Sequence, residues 1–217
     1  MRHAIIRGST LTCSRCMKPP SLHIRPAKAD DAAAIAQLVN AAYRPPAGSG
    51  GWTHESALLD GQRTGIDAVA ALIAASGAGS VVLTGLMADT PVGCVLVETD
   101  AGGAHIGMLA VSPAQQTAGL GKQLLAAAEE WAHERFGSTI ALLTVIGARP
   151  ELKSFYLRRG YHDTGRRLPY PAGGATGQPL HGALDLHVLE KSLQAPGREH
   201  ATTGFTGAES AVPNVLS

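Results

Sequence analysis

Apolar and polar positions change period along the chain, and the changes mark its elements. Leu22-His23-Ile24-Arg25-Pro26 reads as a first strand that its proline ends. From Asp30 or Asp31, either of which suits a helix cap, Ile35, Leu38, Val39 and Ala42 recur at helical spacing to about Tyr43. Arg44 to Gly51 is a Pro/Gly-rich loop. Trp52 to Ser56 reads as the opening of a second helix with Thr53 as its cap, and Asp60 to Thr64 as a polar turn. Gly65 to Ala75, carrying Ile66, Val69, Leu72 and Ile73, reads as a further helix.

A meander of strands follows. Val81 to Leu86 and Val92 to Val97 are β-branched-rich runs, separated at hairpin length by Ala88-Asp89-Thr90-Pro91. Asp100 to Gly103 turns the chain into a third strand, Ala104 to Val111. Ser112-Pro113 closes that strand, and the glycine-punctuated segment Gln116-Thr117-Ala118-Gly119-Leu120-Gly121 opens a long helix. Leu120, Leu124, Ala127, Ala128 and Trp131 share one face of it, Glu129, Glu130, His133 and Glu134 turn to water, and Gly137 stops it. Thr139 to Ile146 predicts a buried strand, Arg149-Pro150 starts a helix that Gly160 closes, and Tyr161 begins another strand. A proline- and glycine-rich loop spans Arg166 to Gly182, and His181 to Leu193 holds the last strand. Hairpin-linked strands flanked by helices argue an α+β domain with a mixed sheet.

The candidate chemistry sits where the third strand meets the long helix. The first turn of a helix carries unpartnered N–H groups and a partial positive charge, and Gly119 and Gly121 remove Cβ atoms from the approach, so this is a place for a phosphate or pyrophosphate. Two familiar nucleotide loops fit badly. A P-loop needs Ser or Thr after its lysine, where Gln123 follows Lys122, and a dinucleotide fingerprint needs a third glycine, where Leu124 stands.

Gln116-x-x-Gly-x-Gly121, after a strand and opening a helix, resembles the acyl-CoA pyrophosphate loop of GNAT-type N-acetyltransferases, whose pattern is Gln/Arg-x-x-Gly-x-Gly/Ala. Further on, Tyr156-Leu157-Arg158-Arg159-Gly160-Tyr161 resembles the second signature of that superfamily, Tyr-x-x-x-Gly-Phe/Tyr. Ile24-Arg25-Pro26 with Asp31 before a helix also resembles the way many of these chains begin. The resemblance covers about residues 21–193. It implies a mixed, mostly antiparallel central sheet flanked by helices, and transfer of an acetyl group from acetyl-CoA, as co-substrate and with no metal, to an amine of a small molecule or peptide.

The same resemblance assigns residues. Pyrophosphate sits on the amides of Gln116, Thr117, Ala118, Gly119, Leu120, Gly121 and Lys122. The pantetheine arm adds to the strand edge at Leu109, Ala110 and Val111, by β-augmentation. An amide near Leu109 or Ala110 meets the thioester oxygen, and Tyr156 protonates the leaving thiolate. Arg149 stands where many relatives carry an asparagine that touches the cofactor arm. Glu98, His105 and Glu55 are candidate bases for the attacking amine, with Glu98 put first. Trp52, Glu55 and Arg63, with His54 and Asp60 beside them, are acceptor-side candidates.

Charge and cysteine narrow the reading. A net charge of +1 gives no electrostatic case for nucleic acid, including aminoacyl-tRNA as an acceptor, or for an anionic membrane. No apolar run approaches the roughly 20 residues of a membrane span. Three cysteines are too few for a disulfide scaffold: Cys13-x-x-Cys16 is half a zinc site at best, and Cys94 lies inside a strand. Residues 1–20 read as a disordered extension and 194–217 as a disordered tail, around a cytoplasmic domain whose oligomeric state, homodimer included, stays open. A non-catalytic acyl-CoA binding or sensing module is the alternative on the same fold.

Overall fold

A computed structural model of the chain describes residues 22–45, 54–171 and 177–193. Thirteen elements follow one another: β1 (His23–Pro26), α1 (Ala32–Tyr43), β2 (Leu59–Asp60), α2 (Ile66–Ala74), β3 (Ser80–Met87), β4 (Thr90–Asp100), β5 (Gly103–Val111), α3 (Leu120–Glu134), β6 (Ile140–Ile146), α4 (Pro150–Leu157), β7 (His162–Pro169), β8 (Gln178–Pro179) and β9 (Asp185–Ser192). Seven strands form one sheet in the order β1-β3-β4-β5-β6-β9-β7, and β2 pairs with β8 apart from it. Every pairing in the large sheet is antiparallel except β5 with β6.

Continuous apolar runs in β3 and β4 reflect burial on both faces of the sheet. Val82, Cys94, Leu96, Met108 and Ala110 pack under α1 and α2. Val81, Leu83, Val95, Val97 and Ile106 pack under α3. The β3–β4 hairpin closes on Ala88 and Asp89, both in left-handed backbone at φ +46° and +62°, which matches the twist of the strands it joins. A Cβ on Gly93 would stand 2.4 Å from Leu124, so α3 lies on the sheet at a distance that only glycine permits there.

The parallel contact is short and it positions the site. β5 and β6 pair only at Ala104 with Ala141 and His105 with Leu142. Beyond those pairs the two strands part, and the C-terminal half of β5 keeps one open edge.

Several expectations change. His54 to Leu58 forms a turn leading into β2, not a helix. The Leu58 and Leu59 amides both bond the Glu55 carbonyl, and Leu59 then pairs with Pro179. Residues 166–169 belong to β7, and Gln178–Pro179 form a strand, so the expected loop is much shorter. The last strand begins at Asp185. Asp31 stands at the start of α1, but its carboxylate turns back to the Lys28 amide at 2.6 Å and to Arg25 at 2.7 Å. Glu129 is not left to water: it accepts from the Lys191 ammonium at 2.6 Å. Trp52, Thr53, Cys13, Cys16, the N-terminal extension and the C-terminal tail lie outside the described residues. No helix among the described residues is long and apolar enough to cross a membrane.

Candidate active site

Where β5 and β6 part, a cavity of about 440 Å³ opens, a volume typical of small-molecule sites. Its walls come from four elements. α1 contributes Ala42 and Tyr43, β5 contributes Leu109, Ala110 and Val111, the start of α3 contributes Gly119, Gly121 and Lys122, and α4 with its C-terminal turn contributes Leu152, Phe155, Tyr156, Arg158 and Arg159. Gln116 and Arg149 complete it.

The glycine segment is more ordered than a loop. Pro113–Ala118 winds as a 3-10 helix, and Gly119, at φ +74°, breaks its direction and caps α3. The Lys122 and Gln123 amides bond back to the Gly119 carbonyl at 3.1 and 3.3 Å. The Leu120 and Gly121 amides precede them, in the first turn, whose N–H groups have no intrahelical partner. The Gln116 side-chain amide donates to the Val111 carbonyl at 3.3 Å and ties this turn to the end of β5. Leu120 is itself buried in the core, so only its backbone is available to a ligand, while Ala118 is exposed.

Lys122, Arg149, Arg158 and Arg159 line the cavity, and among the described residues no carboxylate does. The Arg159 guanidinium lies 3.4 Å from the Phe155 ring centre and donates to the Phe155 carbonyl at 2.6 Å, while its buried Nε–H has no partner among the described residues. Burial and the adjacent Arg158 lower its pKa. A cationic lining, an orphaned guanidinium N–H, a helix N-terminus and an open strand edge together fit an extended anion with a peptide-like arm.

Tyr156 is 7% exposed and borders this cavity. Its ring makes edge contacts with Phe155 and Tyr161 at 5.1 and 5.7 Å. Burial, then the neighbouring Tyr43, pushes its pKa up, so the phenol holds its proton firmly. Cys94 is fully buried and its thiol is pushed up to about 12, mainly by desolvation, which keeps it from acting as a nucleophile.

The remaining sequence candidates are scattered. Glu98 pairs with Ser80 and His105 along its strands, four positions from Cys94, or about 13 Å at strand rise. Burial raises its pKa, but it does not line the cavity. His105 turns to the Asp100 carboxylate at 3.1 Å, also away from the cavity. Glu55 accepts from Arg149 at 3.0 Å and from Arg44 at 3.2 Å, one guanidinium on each oxygen, which makes it a clamp and corrects its reading as a base. Arg63 is buried with its guanidinium 5.3 Å from the Tyr43 ring centre. Glu55 and Arg63 do not line the cavity themselves but contact Arg149 and Tyr43, which do. Sequence reasoning passed over Tyr43, Leu152, Phe155, Arg158 and Arg159; both arginines lie inside the Tyr-x-x-x-Gly signature, where adjacent cations were the available signal. Among the described residues no cluster of His, Cys, Asp or Glu is arranged to hold a metal.

The site is a central sheet split at one parallel pair, with a glycine-led helix on one lip and a tyrosine on the other. Residues 67–170 match the family model of the acetyltransferase (GNAT) domain, so this part of the chain is similar to that family. Solved structures agree on the fold. A putative acetyltransferase, yncA from Salmonella typhimurium, with its cofactor acetyl-CoA, is 21% identical at a TM-score of 0.61, covering 84% of this chain and 99% of that one. The paia N-acetyltransferase of Thermoplasma acidophilum, in complex with coenzyme A, is 18% identical at 0.59, over 79% and 99%. The ribosomal-protein-S18-alanine N-acetyltransferase of Escherichia coli is 14% identical at 0.58, over 84% and 100%. No curated protein matches the sequence.

Proposed function

We propose that the chain is an N-acetyltransferase that moves an acetyl group from acetyl-CoA to a primary amine of a small molecule or peptide, by direct attack. The observation that carries this reading is one cation-lined cavity bordered by both the Gln116–Gly121 segment and Tyr156.

Acetyl-CoA supplies an activated thioester. The first-turn amides of α3, with Lys122, Arg149, Arg158 and Arg159, hold its phosphates. The open edge of β5 from Leu109 to Val111 pairs with its pantetheine arm, and the Leu109 amide meets the charge that develops on the thioester oxygen. The new bond forms between the amine nitrogen and the acetyl carbon as the carbon–sulfur bond breaks. Tyr156 gives its proton to the departing thiolate, and the amine sheds its own proton through water.

Thermal melting with acetyl-CoA tests the binding half. Ligand at about 100 times Kd adds roughly 2.7 kcal/mol, which for a chain of this size shifts the midpoint by about 5–10 °C. Thiol release across an amine panel then tests transfer. A shift without release on any amine supports a binding module instead, and no shift in folded protein rejects both.

A further inference from the structure

β5 carries a kink whose polar groups are held from α1 and from β4. Met108 sits at φ +47°, left-handed backbone that a non-glycine residue adopts only where its surroundings impose it. The ladder to β4 passes from Leu96–Gly107 to Cys94–Ala110, so Met108 and Leu109 together oppose Val95 and pair with neither neighbouring strand. This is a β-bulge, which re-aims the backbone where it sits.

Two side-chain bonds and one ladder pair hold it. The Cys94 thiol donates to the Met108 carbonyl at 3.6 Å. The Tyr43 hydroxyl, from the last residue of α1, donates to the Leu109 carbonyl at 3.1 Å. Ala110 is paired with Cys94 in the strand ladder. A trans peptide is planar, so fixing one end of a unit aims the other. The Met108 carbonyl points at Cys94, so the Leu109 N–H of the same unit points away from β4. The next unit is held at its carbonyl by Tyr43, and its Ala110 end pairs with Cys94. Tyr43 is itself braced: Arg63 stacks on its ring, and Asn40, one turn earlier, accepts from the Arg63 N–H at 2.7 Å.

We infer that Tyr43 is a positioning residue whose phenol holds the Leu109 carbonyl, so that the Leu109 amide is aimed at the thioester oxygen of acetyl-CoA. The inference rests on the acetyltransferase reading above. In an extended residue the N–H and C=O leave on one side of the chain. An untethered Leu109 carbonyl would therefore bring its negative end toward the developing charge. The phenol occupies that carbonyl and leaves the N–H to the ligand.

Infrared spectra of acetyl-CoA carrying carbon-13 at the acetyl carbonyl test this without any acceptor. Bound to the wild-type protein, the carbonyl stretch falls below its value in water. In Tyr43→Phe it returns toward the solution value with acetyl-CoA affinity unchanged, and turnover on an accepted amine falls by about tenfold to a hundredfold. A stretch lowered equally in both proteins overturns the role of Tyr43 alone, as does a loss of affinity and melting temperature with the stretch unmoved. A wild-type protein that does not bind acetyl-CoA overturns the acetyltransferase reading, and this inference with it. If Tyr43→Phe does not fold, Cys94→Ala frees the bulge from the other side and is read by the same two outcomes.

Discussion

In the proposed reaction Tyr156 is the general acid, and as a phenol it carries its proton throughout the neutral range. Tyr156→Phe is therefore expected to lower turnover by about 10²–10⁴-fold, the usual contribution of a placed general acid. Acetyl-CoA affinity, read by calorimetry, should stay the same. Equal losses in both would assign the residue to binding. Glu55 carries the opposite expectation. It lies between two guanidinium groups and is 6% exposed, so removing its charge breaks a buried ion network. Glu55→Gln should cost about 3 kcal/mol in urea unfolding, in line with broken buried pairs, and should leave the pH profile of the folded fraction unchanged. A lost acidic limb in that profile would restore its reading as a base. Nothing in the sequence separated these two residue types of role, because both depend on what approaches each side chain from distant elements.

Among elements, the junction of β5 and α3 shows which glycines the site needs. Gly119 has open space around a would-be Cβ, but its φ of +74° is one that L residues adopt at a cost. Gly121 has ordinary backbone, and its Cβ would meet Phe155 and Val111 at a comfortable 3.7 Å. Gly119→Ala is therefore expected to cost about 1 kcal/mol and to weaken acetyl-CoA binding by tilting the first turn of α3. Gly121→Ala should fold with wild-type stability. Paired denaturation curves and binding titrations check both, and equal tolerance at the two positions would contradict the geometry. The long helices and the meander were legible because each repeats a period over many residues. The turn at His54–Leu58 was not, since its polar residues fit a helix opening until Leu59 finds a partner in Pro179, more than a hundred positions away.

Across the molecule, three tyrosines sit in the interior with their pKa values raised. Burial pushes Tyr43 up to about 12 and moves Tyr156 and Tyr161 in the same direction, Tyr161 further because Glu129 lies near it. In the unfolded chain each ionises near pH 10. Below that pH both states hold the protons and the tyrosines cost nothing. Above it the unfolded state releases protons that the folded state keeps, so stability falls as pH rises, by up to about 1.4 kcal/mol per pH unit for each residue. Urea midpoints measured from pH 9 to 11 should decline, and Tyr161→Phe should flatten the decline. A midpoint constant over that range would mean that these phenols ionise as freely in the fold as in water.

By itself the sequence determined the elements and the two signatures, since period, proline, glycine and residue spacing are local and survive without a fold. Gln116, Gly119, Gly121 and Tyr156 were readable for that reason. Tertiary structure decided which side chains share a cavity. Glu98 was chosen for its place at a strand end, yet register carries it along β4 away from the opening. Glu55 was chosen as a candidate base and acceptor-side residue, yet Arg44 and Arg149 enclose it. Tyr43, unremarkable as the last apolar residue of a helix, reaches a bulge in β5 that exists only because β4 and β5 lose register at Cys94. Register, splay and the partners of buried charges arise from contacts between segments far apart in the chain, and no local pattern encodes them.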